Sequence, residues 1–244
     1  MKSAGMDGTV FNVGSVGKTF GNFRALSDVS LNIRKGESRA IIGPNGAGKT
    51  TFVNVVSGVF RPSTGRIVLD GTDITALSPQ RRTRLGLSRT FQISSLFRGM
   101  TVEDHLKLAL RSCGRGDKGG ESELLRQFDL QGMAGRTVET LSHGDQRVLE
   151  IMMALALRPK LLLLDEPTAG MSIAETNRMI ELINTRIRGD ISIIIIEHDM
   201  SVVMRTADRI TVLAEGKVAA EGTPDAILSN PLVREIYLGS ASGY

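Results

Sequence analysis

The sequence contains the octapeptide Gly43-Pro44-Asn45-Gly46-Ala47-Gly48-Lys49-Thr50, a full match to the pattern G-x-x-x-x-G-K-S/T. Glycines at these positions let the backbone turn so that successive N–H groups point toward one phosphate. Lys49 adds a positive charge, and the Thr50 hydroxyl is a ligand that suits Mg²⁺. The pattern therefore predicts a nucleotide-phosphate site. Its predicted contacts are Gly43, Pro44, Asn45, Gly46, Ala47, Gly48, Lys49, Thr50 and Thr51.

The residues on either side of the octapeptide support this prediction, since a Gly-rich turn alone can match the pattern by chance. Residues 38–42 form an apolar run of strand length, and residues 51–56 can open a helix whose N-terminal dipole favours anions. Two further apolar runs, Leu161–Leu164 and Ile191–Ile196, lack polar alternation and indicate strands buried on both faces. Strands that alternate with helices predict a parallel α/β core, with ligands at the carboxyl ends of the strands.

Composition restricts the class of protein. Hydrophobic residues make up 41% and charged residues 23% of the 244 residues, which is typical of a globular protein. No apolar run reaches the roughly 18–20 residues that span a bilayer, and the N-terminus lacks the apolar segment of a secretory signal. The single cysteine, Cys113, suits a reducing cytoplasm. With 4% aromatic residues, a nucleic-acid module is not indicated, and the basic cluster at residues 81–84 is expected to be a solvated helix face.

Polar residues at the ends of predicted strands are candidates for chemistry on the nucleotide. Asp165 and Glu166 follow the run 161–164, so Asp165 can hold Mg²⁺ while Glu166 polarises an attacking water. His198 and Gln92 also follow strands and can reach a bound nucleotide. Each of these residues, taken alone, is more often structural than functional.

A second anion-binding surface is predicted at residues 141–146, Leu-Ser-His-Gly-Asp-Gln. Ser142 and Gly144 stand where a helix begins and leaves N–H groups unpaired, although no lysine accompanies them. One chain thus carries two separate phosphate-type surfaces.

Local patterns give the remaining elements. They predict a hairpin over residues 10–26, a separate half-buried strand over 27–33, a second strand pair at 209–213 and 217–221, and helices over 78–85, 101–110, 121–128, 142–157 and 174–187, with a terminal helix from residue 223. A single domain is expected to span residues 1–244. Within it, residues 1–90 and 158–244 form the nucleotide-binding core with its β subdomain, and residues 93–157 form a helical subdomain.

These motifs, in this order, resemble those of the ATP-binding cassette (ABC) ATPases. The corresponding positions are Walker A at 43–50, the Q-loop at Gln92, the signature at 141–145, Walker B at 161–166, the D-loop near 169–172 and the switch histidine at His198. The resemblance implies a RecA-like phosphate-loop core with an antiparallel β subdomain and a helical subdomain. It implies ATP and Mg²⁺ as cofactors, catalysis by Glu166 and His198, metal binding by Thr50, Gln92 and Asp165, and stacking of Phe20 on adenine.

The signature differs from the family's commonest form, LSGGQ, because His143 replaces a glycine and Asp145 replaces the glutamine. Ser142 and Gly144, the phosphate-facing positions, are retained, and the roles of residues 143 and 145 stay open. In this family two cassettes pair head to tail with ATP between Walker A of one and the signature of the other. The partner is therefore expected to be a second ATPase subunit, identical or different.

Further stretches resemble bacterial branched-chain amino acid importers: residues 89–92, 141–147, 168–171, 197–200 and 237–239. The resemblance implies an ATPase at the cytoplasmic face of the inner membrane that contacts permease subunits through residues Ile93–Arg98. A urea or amide importer, a lipopolysaccharide-type exporter and a soluble ABC ATPase of DNA repair or translation remain alternatives, as does, more distantly, a small-molecule kinase or GTPase. The transported solute is not decided by this sequence.

Overall fold

The computed structural model describes residues 8–90, 96–112 and 120–239. The strands in this part of the chain are β1 Thr9–Phe20, β2 Phe23–Arg34, β3 Ser38–Ile42, β4 Thr64–Leu69, β5 Thr72–Asp73, β6 Leu87–Arg89, β7 Leu161–Asp165, β8 Ser192–Ile196, β9 Arg209–Ala214 and β10 Lys217–Gly222. The helices are α1 Lys49–Val56, α2 Pro79–Arg84, α3 Val102–Ser112, α4 Gly120–Gln127, α5 His143–Ala156, α6 Ile173–Leu182, α7 Met200–Thr206, α8 Pro224–Ser229 and α9 Pro231–Gly239.

A six-stranded sheet forms the centre of the molecule, in the order β10-β9-β3-β8-β7-β6. The five strands from β9 to β6 are parallel, whereas β10 pairs antiparallel with β9. All residues of β3, β7 and β8 are buried. This burial explains why these strands read as continuous apolar runs, since a parallel sheet is covered by packing on both faces.

A second sheet is antiparallel, with the order β2-β1-β4-β5. Its inner face shares a hydrophobic cluster with α1 and with alternate residues of the central sheet, such as Ile41, Leu163 and Ile194. Leu162, Leu164, Ile193 and Ile195, which lie on the opposite face of that sheet, belong to a second cluster with α3, α5 and α6. The central sheet is therefore the layer between the antiparallel sheet and the helical region.

Three local predictions differ from the structure. Residues 27–33 are not a separate strand, because β2 runs without interruption from Phe23 to Arg34 and pairs along its length with β1. The helix predicted over 174–187 is α-helical only to Leu182, and Ile183–Ile187 form a π-helical turn. The terminal helix is divided at Asn230 into α8 and α9, because Pro231 begins a new helix.

The basic cluster at residues 81–84 is not wholly solvated, as the sequence suggested. Arg81 and Arg84 are exposed, but Arg82 is fully buried. Its guanidinium donates hydrogen bonds to the carbonyls of Val55 and Val56 at the end of α1, at 2.7 and 2.6 Å. A cation at this end of a helix stabilises the unpaired carbonyls and the negative pole of the helix dipole.

Candidate nucleotide-binding site

The phosphate loop lies between β3 and α1, as the sequence predicts. Gly43 and Gly48 have φ values of 153° and 99°, in the region that favours glycine. A Cβ atom on Gly43 would lie 2.1 Å from the carbonyl oxygen of Leu213, and one on Gly48 would lie 2.8 Å from that of Ala25. Both glycines are therefore required by conformation and by space, and they shape the loop into a narrow cradle.

Lys49 begins α1 with its ammonium group turned back into this cradle. The Nζ atom donates hydrogen bonds to the carbonyl oxygens of Gly43 at 2.6 Å and Pro44 at 2.9 Å. Burial lowers the pKa of Lys49, and the nearby charge of Glu166 partly offsets this decrease. The lysine is thus held beside the loop by weak acceptors, where a phosphate oxygen would be a stronger partner.

Carboxylate and imidazole groups meet the loop at the carboxyl ends of β7 and β8. Asp165 is the last residue of β7, Glu166 follows it, and His198 stands two residues after β8. The His198 Nε2 atom lies 3.0 Å from Glu166 Oε1. These residues line a cleft of about 350 Å³, and the described residues that line it are Phe23, Ala25, Asn45, Gly46, Ala47, Gly48, Lys49, Thr50, Thr51, Asp165, Glu166, Ile196 and His198.

Two arginines, the half-buried Arg89 and the buried Arg147, hold the two acidic residues in place, a feature that sequence patterns did not reveal. Arg89, the last residue of β6, contacts Asp165 Oδ2 at 2.9 Å and Asn54 Oδ1 of α1 at 2.8 Å. Arg147 of α5 donates to the carbonyl oxygens of Asp165 and Glu166, at 2.7 and 3.1 Å. The role of Arg89 could have been inferred from its position at a strand end beside the predicted site. The contacts of Arg147 depend on tertiary packing and leave no such pattern in the sequence.

Glu197 has a positioning role that the sequence also did not indicate. It is buried, and its Oε1 atom accepts hydrogen bonds from the backbone N–H of Thr168 at 3.1 Å and from its hydroxyl at 2.7 Å. The segment after Glu166 is thereby tied to the end of β8, next to His198.

The predicted signature residues lie apart from this cleft. Ser142 caps α5, and its hydroxyl accepts a hydrogen bond from the Asp145 backbone N–H at 3.1 Å. Asp145 also forms a 2.8 Å ion pair with Arg178 of α6. Neither Ser142 nor Gly144 is among the residues that line the cleft. The chain therefore presents two separate surfaces, as the sequence indicates, and does not bring them together within one molecule.

The predicted adenine-stacking residue, Phe20, is an exposed aromatic and not part of the core. Its ring packs edge-on against Phe60 with centroids 5.3 Å apart, and the Lys18 ammonium lies 4.8 Å from its centroid. Phe23, three residues later and 67% exposed, lines the cleft, whereas Phe20 does not. Stacking by Phe20 thus stays a prediction, and Phe23 is a second aromatic near the loop that the sequence did not single out.

The predicted permease contact is only partly described. Gln92, Ile93, Ser94 and Ser95 lie outside the described residues. Phe97 is 59% exposed, which agrees with a contact surface, while Leu96 is half-buried against the helical cluster. The Phe97 backbone N–H donates to Nε2 of the buried His105 at 2.9 Å, so this loop is anchored to α3.

The donor set at the cleft fits Mg²⁺ bound together with a nucleotide. Among the described residues no group of three or more His, Cys, Asp and Glu side chains is arranged to hold a metal. The Thr50 hydroxyl and the Asp165 carboxylate are the protein oxygens expected there. Mg²⁺ commonly uses one or two such ligands and completes its shell with phosphate oxygens and water.

Comparison with known proteins gives the family. Residues 26–169 match the sequence family described as ABC transporter, and residues 211–242 match the one described as branched-chain amino acid ATP-binding cassette transporter. The chain belongs to the ABC transporter family. It is 35% identical to the high-affinity branched-chain amino acid transport ATP-binding protein BraF of Pseudomonas aeruginosa, over 97% of this chain and 100% of the relative. It is 39% identical to LivG of Salmonella typhimurium, of the same description, over 91% and 94%.

Solved structures agree with this assignment. An ATP-binding cassette of an ABC transporter in its ADP conformation superposes with a TM-score of 0.85 at 30% identity, covering 95% of this chain and 99% of that chain. A nucleotide-free cassette gives a TM-score of 0.84 at 30% identity, covering 94% and 98%. The predicted fold class is confirmed, and the protein is an ABC ATPase that binds nucleotide.

Family membership also implies that the cassette pairs with a second cassette and with permease subunits. In the described part of the chain, no helix has the length and apolar character needed to cross a membrane.

Proposed function

We propose that this ABC ATPase powers the import of branched-chain or other hydrophobic amino acids, as one of two cassettes bound to permease subunits at the cytoplasmic face of the inner membrane. The proposal of ATP hydrolysis rests on the 3.0 Å contact between Glu166 and His198 beside the phosphate loop. The assignment of the solute class is supported by the relatives, whose names describe branched-chain amino acid transport.

The residues expected to act on ATP have distinct roles. Backbone N–H groups of residues 45–50 and the Lys49 ammonium bind the phosphates, and Thr50, Asp165 and Gln92 would hold Mg²⁺. Mg²⁺, when bound, neutralises charge on the phosphate oxygens. Glu166 orients and deprotonates the attacking water, while His198 holds the Glu166 carboxylate and contacts the γ-phosphate.

The separation of the cleft from Ser142 and Gly144 supports a site that two chains complete together. The N–H groups at the start of α5 suit an anion, but α5 brings no lysine of its own. In a head-to-tail pair, Ser142 and Gly144 of one cassette contact the γ-phosphate bound by the other. ATP binding then closes the pair, and hydrolysis opens it.

The permease contact is proposed at Ile93–Arg98. The exposed ring of Phe97, anchored to α3 through His105, supports this location, since a large exposed apolar side chain on a fixed loop suits a partner helix. Phe97→Asp is expected to release the permease while nucleotide binding is retained. Leu228→Asp, at an apolar residue of α8 that is 48% exposed, is the matched control. Retention of the permease by Phe97→Asp would place the contact elsewhere.

The function is tested by purifying the tagged chain from its native membrane, identifying the permeases that accompany it and reconstituting the complex in vesicles. ATP-dependent uptake of leucine, isoleucine or valine is expected, and Lys49→Ala should abolish it because the phosphates lose their cation. Uptake of urea or amides alone, export of a lipid, or recovery of the chain without any permease would each contradict the proposed solute class or the transport role.

A further inference from the structure

A carboxylate of this chain already lies against the phosphate-facing groups of its own signature. The backbone N–H of Gly144 donates a 3.2 Å hydrogen bond to Oε1 of Glu175, and the Ser142 hydroxyl contacts the same carboxylate. A Cβ atom on Gly144 would lie 2.7 Å from this oxygen, so the carboxylate packs directly on the glycine. Ser142 and Gly144 are the two residues proposed to contact the γ-phosphate of the partner's ATP.

The same carboxylate is fixed on its other side by the helix that carries it. Glu175 Oε2 accepts hydrogen bonds from the backbone N–H of Ser172 at 3.0 Å and from the Ser172 hydroxyl at 2.9 Å, which forms a capping box at the start of α6. Hydrogen bonds from the Ser172 backbone and hydroxyl, and then from Gly144, lower the pKa of Glu175 to about 2. The group is therefore a full anion at neutral pH.

A second contact between α6 and α5 holds the N-terminal ends of the two helices together. Arg178, one turn after Glu175, forms its 2.8 Å ion pair with Asp145, and Asp145 Oδ2 lies 3.1 Å from the Ser142 hydroxyl. Asp145 stands where the commonest signature has glutamine. The unusual signature residue thus helps to hold α6, and with it Glu175, over the start of α5.

We propose that Glu175 is an internal substitute for the partner's phosphate, which occupies the signature in the separate subunit and must be displaced when two cassettes close on ATP. The inference rests on the proposed head-to-tail pair. Both ligands are oxyanions, and both require the N–H of Gly144 and the hydroxyl of Ser142, so they exclude each other by charge and by space. Glu175 thereby raises the ATP and protein concentrations at which the pair forms.

Displacement changes the contacts of Glu175 close in sequence to the catalytic carboxylate of the same chain. Glu175 is bonded to Ser172, and only five residues separate Ser172 from Glu166. When the partner's phosphate takes over Gly144, the carboxylate keeps only its bonds to Ser172.

The experiment compares dimer formation in chains that carry Glu166→Gln, so that ATP is bound and hydrolysed slowly. Glu175→Gln is added to one chain and Glu181→Gln, an exposed residue of the same helix, to the control. Glutamine retains an acceptor for the capping box but lacks the charge that competes with phosphate. The dimer dissociation constant with ATP and Mg²⁺, measured by sedimentation, is expected to fall by about tenfold or more for Glu175→Gln. ATP affinity of the dilute monomer should not change, because the phosphate loop is untouched.

The control chain with Glu181→Gln should have the same dimer dissociation constant as the Glu166→Gln parent. If Glu175→Gln lowers the melting temperature, Glu175→Asp is used instead, since it keeps the charge at α6 but is one methylene too short for Gly144. An unchanged or weaker dimer in both Glu175 variants would overturn the inference. A parent that does not dimerise with ATP at all would overturn the head-to-tail pair itself, and the inference with it, so the two failures are distinguishable.

Discussion

Glu166 combines a strained backbone with a side chain held in one position. Its φ value is 47°, in the left-handed region that few non-glycine residues adopt. Arg147 donates to its carbonyl at 3.1 Å, and His198 contacts its carboxylate at 3.0 Å. Strain of this kind persists where neighbouring groups determine the conformation. The arrangement places the carboxylate rigidly beside the phosphate loop, which suits a group that must orient water.

Replacement of Glu166 by glutamine tests this role. The shape and much of the hydrogen bonding are retained, but the negative charge and basicity are lost. We expect ATP turnover to fall by about 10²-fold or more, the scale for losing a positioned general base. Nucleotide binding should be retained because Lys49, Thr50 and Asp165 are unchanged. Glu181→Gln is the control, and both the ATPase rate and ATP affinity are measured. Turnover at the parent rate would show that the base lies elsewhere, with His198 the next candidate.

At the scale of single elements, the buried cation of Arg82 caps the C-terminal end of α1, the helix that follows the phosphate loop. Arg82 of α2 donates to the last carbonyls of α1 and also to the carbonyl of Thr75 at 2.9 Å and that of Leu77 at 3.1 Å. Burial lowers its pKa to about 10, so it remains charged at neutral pH. Helix α1 begins at the phosphate loop and ends at this arginine, which connects the loop to the packing of α2.

Arg82→Met is expected to destabilise the protein by about 2–4 kcal/mol, because four carbonyls lose the hydrogen bonds of the guanidinium and two of these bonds are buried. For a chain of this size the melting temperature should decrease by roughly 5–10 °C. Arg81→Met, at the exposed neighbour, is the matched control and should change it little. Equal melting temperatures for the two variants would contradict the role assigned to Arg82.

The capping box of α6 predicts a specific dependence of stability on pH. The pKa of Glu175 is lowered from 4.5 to about 2, first by the Ser172 backbone N–H and hydroxyl. A lowered pKa stabilises the folded state above pH 4.5, and this contribution is lost as the pH falls from 4.5 toward 2. Urea denaturation between pH 6 and 3 should therefore show a smaller loss of stability for Glu175→Gln than for the parent. Parallel pH profiles would contradict the prediction.

For the whole molecule, the phosphate loop is the point where the two sheets meet. Gly48 packs against the carbonyl of Ala25 in the antiparallel sheet, and Gly43 against that of Leu213 in the central sheet. The backbone of Gly216 also links the loop to the antiparallel sheet. Its N–H donates to the carbonyl of Ala47 at 3.0 Å, and its carbonyl accepts from the N–H of Ser27 at 2.8 Å. The phosphate loop is therefore held in place by backbone contacts from both sheets.

Much of this organisation was predictable from sequence because it depends on local chemistry. The caps Ser78 and Ser142 begin helices where predicted, since each side chain accepts a hydrogen bond from a backbone N–H of the following turn. The apolar runs predict the buried strands β7 and β8, and the octapeptide predicts a phosphate loop. Each of these patterns lies within a few consecutive residues. The division into a core and a helical subdomain at residues 93–157 stays a prediction, although the helical residues share a cluster with the central sheet.

Other features depend on groups that are distant in sequence. The π-helical turn at Ile183–Ile187 keeps both of these isoleucines buried, and over one turn apolar periodicity does not distinguish it from an α-helix. The burial of Arg82 and the contacts of Arg147 and Glu175 need the tertiary fold, since in sequence these side chains resemble ordinary charged helix faces. The site was therefore predicted by its phosphate loop and strand-end acids, but not by the residues that position them.

Assembly of two cassettes is expected to require both bound ATP and an accessible signature. Glu166→Gln binds ATP without rapid cleavage, so the closed pair should accumulate, whereas the unmodified chain should be mostly monomeric without nucleotide. Ser142→Arg in the same chain should prevent accumulation, because the long side chain fills the space for the partner's γ-phosphate. Arg24→Ala, at an exposed position of β2, provides a surface control. Dimer fraction is measured by sedimentation with and without ATP and Mg²⁺. A stable dimer in plain buffer, or one that forms with Ser142→Arg as readily as without it, would show that the signature is not part of a shared nucleotide site.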